Sequence, residues 1–101
     1  MTSNEARRIL DLVGGGMLNP AFSSHFLQRL RERLPGMGAV DVLTVLRRGT
    51  LRGEPLWDDA HGNHKVRVRG SARGFGEVEL VLAISWLDDA VAVTVYSIDR
   101  K

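Results

Sequence analysis

The stretch His25-Phe26-Leu27-Gln28-Arg29-Leu30-Arg31-Glu32-Arg33 places an imidazole and two guanidinium groups at i, i+4 and i+8. At 100° per residue, His25, Arg29 and Arg33 drift only about 80° around a helix axis and form one polar stripe. Two guanidinium forks in line with an imidazole can grip a phosphate and move a proton near neutral pH. Glu32 lies beside the stripe, where it can pair with Arg29 or pin the His25 ring; a solvated helix face has the same spacing. A second constellation is Lys65-Val66-Arg67-Val68-Arg69, whose strict alternation puts Lys65, Arg67 and Arg69 on one face of a strand and two valines on the other. If that face also carries Thr94 and Tyr96, the result is a basic groove floored by a phenol. Such a groove suits RNA, with phosphates on the cations and a base stacked on the ring. The alternative is an edge strand whose charged outer face deters aggregation.

Other candidates offer less. His61 and His64 flank Gly62-Asn63 near Asp58 and Asp59, which are ligand types for divalent ions but share no regular element. No metal and no cofactor is expected. Ser71 and Ser85 lack the neighbouring acid-base pattern of a nucleophile. Gly70 to Gly76 is rich in glycine but lacks the GxxxxGK[ST] phosphate loop, and reads as a flexible hairpin.

The elements that must position these residues follow from periodicity. Ser3 or Asn4 caps a first helix, with Glu5 in its first turn and Ala6, Ile9, Leu10 and Val13 as its apolar stripe; Gly14-Gly15-Gly16 stops it. A connector containing Asn19-Pro20 leads to Ser23 or Ser24, caps for a second helix through about Leu34, with Phe26, Leu27, Leu30 and Leu34 as its stripe. Pro35-Gly36 closes it. A third helix, roughly Ala39 to Arg48, buries Val42, Leu43, Val45 and Leu46, carries Arg47 and Arg48 in its last turn and meets Gly49 at C′. From Thr50 the period becomes two. Leu51 to Trp57 is an edge strand interrupted by Gly53 and Pro55, Asp58 to Asn63 a polar loop, and Lys65 to Arg69 a strand. Glu77 to Leu87, aliphatic on both faces, is a central strand, and Asp88-Asp89 turns it into a last strand, Ala90 to Ile98. Val91, Val93 and Val95 share one face of that strand; Ala92, Thr94 and Tyr96 share the other. The fold class is therefore α+β, with N-terminal helices packed on one face of a three- or four-stranded antiparallel sheet.

Composition bounds the rest. At 101 residues, 1–101 reads as one domain, and 44% hydrophobic against 26% charged residues is the balance of a folded globular chain. No run is long and apolar enough for a membrane span, and no apolar segment follows the N-terminus. The absence of cysteine excludes disulfides, thiolate metal sites and a Cys nucleophile, and fits a reducing cytoplasm. The net charge of +2 hides polarity: residues 25–73 hold ten cations against five anions, whereas residues 74–101 hold two against five. Twelve of the fourteen cations are Arg, the side chain suited to planar bidentate grip on phosphate. An Arg bias of a GC-rich genome would produce the same count.

Ser23-Ser24-His25 with Arg29 and Arg33, then Asp41-Val42-Leu43-Thr44-Val45-Leu46-Arg47-Arg48-Gly49, then Thr94-Val95-Tyr96, resembles in that order the HxxxRxxxR domain-of-unknown-function family of the RelE/ParE-like toxin superfamily. The resemblance covers about residues 22–98, leaving 1–21 as an added helix and connector. It implies a RelE-like fold whose open sheet face meets substrate, and a metal-independent endoribonuclease, the messenger-RNA interferase type, of a toxin–antitoxin pair. His25, Arg29, Arg33 and Tyr96 would be the catalytic residues, Lys65, Arg67 and Arg69 the RNA-binding ones, and the partners RNA and an antitoxin protein. Superfamily members include gyrase inhibitors, so fold alone does not decide function. The alternative is a non-catalytic module that binds nucleic acid or protein with the same surface. Ribonucleases of this type often carry cations on the last strand near the Tyr; here that region is acidic until Arg100 and Lys101.

Overall fold

Three helices pack on a six-stranded sheet in the computed structural model, which describes residues 1–87 and 89–101. Helix α1 (Ser3–Gly14) is capped one residue earlier than its Ser3 or Asn4 suggest, because Thr2 and Glu5 complete a capping box. The Thr2 backbone N–H donates to the Glu5 carboxylate and holds that carboxyl below the ordinary Glu value. Its stripe of Ala6, Ile9, Leu10 and Val13 is buried as the spacing predicts.

The connector is not plain loop. Ala21–Phe22 form a two-residue strand, β1, parallel to the last strand, which no hydrophobic alternation this short can announce. Helix α2 (Ser24–Arg33) follows and packs along that same last strand. Only Phe26 of α2 and the following Leu34 are fully buried; Leu27, expected in the core stripe, is 41% exposed. The reason is placement at the sheet margin: α2 packs on β6, whereas α3 (Ala39–Arg48) packs on α1 and on β4, so α3 does not cover the outer flank of α2.

Helix α3 matches its expected bounds, and two hydrogen bonds from α1 hold its C-terminal end. The Arg7 guanidinium of α1 donates to the carbonyls of Leu46 (through Nη2) and Gly49 (Nη1, 3.0 Å), satisfying acceptors that a helix C-terminus leaves unpaired. Gly49 itself is extended (φ −73°, ψ 169°) rather than left-handed, and glycine is required for another reason. A Cβ there would stand 2.5 Å from the Val45 carbonyl and 2.8 Å from the Val68 side chain.

The single edge strand expected over Leu51 to Trp57 is two, β2 (Thr50–Leu51) and β3 (Leu56–Asp58), separated where Gly53 takes φ +81°. Both pair antiparallel with β4 (Asn63–Ala72), which is longer than the alternation of 65–69 implies. It absorbs Gly70 to Ala72, expected in a loop, because Gly70 lets the strand pass under α3: a Cβ at Gly70 would lie 3.0 Å from the Gly49 Cα. Strands β5 (Gly76–Leu87) and β6 (Ala90–Arg100) complete the sheet in the order β1-β6-β5-β4-β2, with β5 central as expected. Of the Asp88-Asp89 turn, Asp88 lies outside the described residues and Asp89 has φ +64°.

The three- or four-stranded antiparallel expectation thus becomes a six-stranded mixed sheet on the same α+β plan. Val66, Val68, Val78, Leu80, Leu82, Ile84, Val93, Val95 and Ile98 face the helices and build the core. The opposite sheet face is free of helices. Among the described residues no helix is long and apolar enough to cross a membrane.

Candidate active site on the open sheet face

The strand register assembles the candidate residues. Lys65, Arg67 and Arg69 alternate with the core residues Val66 and Val68, so they stand on the open face of β4. Three rows cross the sheet there: Lys65, Ala83 and Thr94; Arg67, Val81 and Ser97; Arg69, Glu79 and Asp99. The condition set on the groove is met, because Thr94 and these cations share one face.

Tyr96 joins them through an irregularity. Val81 pairs with Ser97 and Leu82 with Val95, so Tyr96 is the extra residue of a β-bulge. Val95 and Ile98 are both buried on the helix side, which leaves Tyr96 and Ser97 together on the open side. Strict alternation from Tyr96 would send Asp99 to the helix side; the bulge shifts the count and delivers its carboxylate to the open face.

Helix α2 supplies the rim. The Ser23 hydroxyl accepts from the Phe26 N–H (3.0 Å), capping the helix, and donates to the Tyr96 carbonyl (2.9 Å). One side chain therefore ties the start of α2 to the bulge, and His25 lands beside Tyr96 with ring centroids 5.9 Å apart. Lys65 Nζ also stands over the phenol, 5.6 Å from the ring centroid and within cation–π range. His25, Tyr96 and Lys65 thus form one continuous group on the open face. A hollow of about 110 Å³ opens next to it, lined by His25, Gln28, Arg29 and Glu32.

Arg33 is not part of this cluster. It is exposed at the end of α2 and does not line the hollow. Glu32 does not hold Arg29 or His25 either; it accepts from Gln28 (2.9 Å).

The electrostatics are more balanced than the count of cations suggests. Arg29 donates to Asp99 (2.9 Å), Arg69 to Glu79 (3.3 Å), and Lys65 lies 3.1 Å from Asp58 and donates to the Asn63 side-chain Oδ1 (2.7 Å). Lys65, Arg69 and Arg29 are thus each matched by an acid, whereas Arg67 is exposed and joins none of these pairs. The hydrogen bond from Lys65, with a second from His61, holds the Asp58 carboxyl below the ordinary Asp value. Arg29 lines the hollow while its Nη2 is held by Asp99, and its Nε is buried without a partner.

The histidine pair of the 58–64 segment does not converge. His61 binds Asp58 (2.8 Å), while His64 lies against Trp57 (4.9 Å between centroids, planes tilted by 60°), its cross-strand neighbour, at a position of β4 in phase with Val66 on the other side of the sheet.

Sequence reasoning missed Ser23 as a link and Asp58 and Asp99 as counter-ions. Ser23 lies two residues before His25, and its dual role needed only the pairing of β1 with β6. Comparison of the chain with protein-family models, with curated proteins and with solved structures found no match. What stands is the class: a mixed α+β domain with one helix-covered and one open sheet face, and a His–Tyr–Lys group on the open one.

Proposed function

We propose that the open sheet face binds single-stranded RNA and cleaves it without metal, on a RelE-like fold, by attack of a ribose 2′-OH on the adjacent phosphorus. The O2′–P bond forms and the P–O5′ bond breaks, leaving a 2′,3′-cyclic phosphate and a 5′-hydroxyl. His25 takes the 2′-OH proton or delivers one to the departing O5′. Tyr96 stacks a base or shares in the proton transfer, as an exposed ring on a sheet surface does in single-strand binding. Arg29, which lines the hollow beside His25, stabilises the pentavalent phosphorane, and Arg67 holds a flanking phosphate. Lys65 approaches the substrate from over the phenol. Arg33 takes no part in this mechanism, and Arg69 serves its own face as a partner of Glu79.

The observation that carries this reading is the grouping of His25, Tyr96 and Lys65, three side chains from α2, β6 and β4 that sequence distance does not force together. The test is cleavage of a mixed-sequence RNA in EDTA. Wild type should yield 2′,3′-cyclic phosphate ends, and His25→Ala should be slower by about 10²-fold or more, the usual loss of a general acid or base. No cleavage, or equal cleavage by the variant, would sink the assignment.

The pairing of Lys65, Arg69 and Arg29 with acids favours a second reading, a non-catalytic binding module. It predicts RNA or protein binding that Arg67→Glu abolishes, with no product from any RNA.

A further inference from the structure

The apolar stripe of α2 is wider than the chain covers. Leu27, Leu30, Arg31 and Leu34 follow one another at i, i+3, i+4 and i+7 on a flank that faces neither β6 nor solvent alone, but a cleft toward α3. Two hollows that share Leu30 make up this cleft. One, of about 200 Å³, is lined by Phe22, Phe26, Leu27, Leu30, Ala39 and Val42; the other, of about 240 Å³, runs from Leu30 and Arg31 to Met37. Helix α2 packs on β6 and α3 on β4 and α1, which is why the space between them stays open. Phe26, Leu34, Met37 and Val42 form its buried floor, while Leu27 is exposed and Phe22 and Leu30 are half-buried, so an apolar occupant would take these three out of water.

The cleft's surroundings define the occupant. Arg31 lines it and Arg33 is exposed one turn from Leu30; neither forms an ion pair among the described residues, in contrast to Arg29, Lys65 and Arg69. Of the nearby acids, Asp41 is engaged with the Gly38 N–H and Glu32 with Gln28. The N-terminus of α3 adds partial positive charge at Ala39. We propose that the α2–α3 cleft is a docking surface for an amphipathic segment of a partner protein, one that inserts large apolar side chains beside Leu27 and Leu30 and sets carboxylates against Arg31 and Arg33. This recognition mode is a segment in an apolar groove with charged flanks. A nucleic acid would meet the arginines but not the apolar floor. The proposal does not rest on the ribonuclease reading, since the cleft shares no residue with the His25, Tyr96 and Lys65 group.

The experiment is selection of a phage-displayed library of random 16-residue peptides on the full chain, with counter-selection on Leu27→Asp, whose fold is checked by circular dichroism. Leu27 is already partly exposed, so the variant should fold. Enriched peptides should combine large apolar residues with Asp or Glu. A resynthesised peptide should bind wild type at least tenfold tighter than Leu27→Asp, lose a similar factor with Arg31→Glu/Arg33→Glu, and bind His25→Ala unchanged. No enrichment, enrichment of basic peptides, or equal binding to Leu27→Asp would overturn the proposal. So would a concentration-dependent dimer dissolved by Leu27→Asp, which would put a second copy of this chain in the cleft.

Discussion

Ser23 is the residue on which the site geometry turns. Its hydroxyl is both the N-cap of α2 and the link to the Tyr96 carbonyl, so a Ser23→Ala change removes a cap and the registration of His25 together. The loss should be about 1–2 kcal/mol in urea unfolding, and Ser23→Thr, which retains the hydroxyl, should recover most of it. RNA cleavage should fall further than stability explains, because His25 loses its fixed distance to the phenol. Asp58 yields a pH prediction at the same scale. Its carboxyl titrates below the ordinary value because Lys65 and His61 hydrogen-bond the charged form. A depressed folded-state value means the contribution is present above the unfolded value, about 3.9, and is lost as pH falls through the folded one. Wild type should therefore have a higher Tm than Asp58→Asn at pH 7, and the gap should close below about pH 4; a gap constant down to pH 2 would contradict the pairing.

At the scale of elements, periodicity made most of the fold legible. The stripes of α1 and α3 and the alternation of β4 and β6 are each set by burial on one face, and a pattern of that kind survives in the sequence. What escaped depends on distant partners. Strand β1 exists only because β6 offers an edge, and Tyr96, Ser97 and Asp99 share a face only because a bulge interrupts the count that Val91, Val93 and Val95 establish. The candidate residues were therefore legible as types and as two separate groups, the His25, Arg29 and Arg33 stripe and the Lys65, Arg67 and Arg69 strand, while the shifted register hid Asp99 as the partner of Arg29. The Arg7 contact with the end of α3 was equally invisible, since it spans about forty positions. Replacing Arg7 by Ala leaves the Leu46 and Gly49 carbonyls without that donor, and should cost about 1–3 kcal/mol by chemical denaturation. A loss below about 0.3 kcal/mol would show that water serves those acceptors as well.

The whole molecule divides its charge in a way the sequence total conceals. Acids from β3, β5 and β6 answer Lys65, Arg69 and Arg29 on the open face, while Arg67 there and Arg31 and Arg33 by the α2–α3 cleft form no ion pair among the described residues. Two surfaces with different chemistry result, one proposed to take a single-stranded nucleic acid and one an amphipathic protein segment. The measurement that separates them most directly is mapping backbone amide shifts on addition of a 2′-O-methyl oligoribonucleotide, which lacks the attacking hydroxyl and cannot be cut. The account predicts the largest shifts at His25, Lys65, Arg67, Tyr96 and Ser97. Shifts confined to Leu27, Arg31 and Ala39, or none on the open face at saturating oligonucleotide, would contradict it.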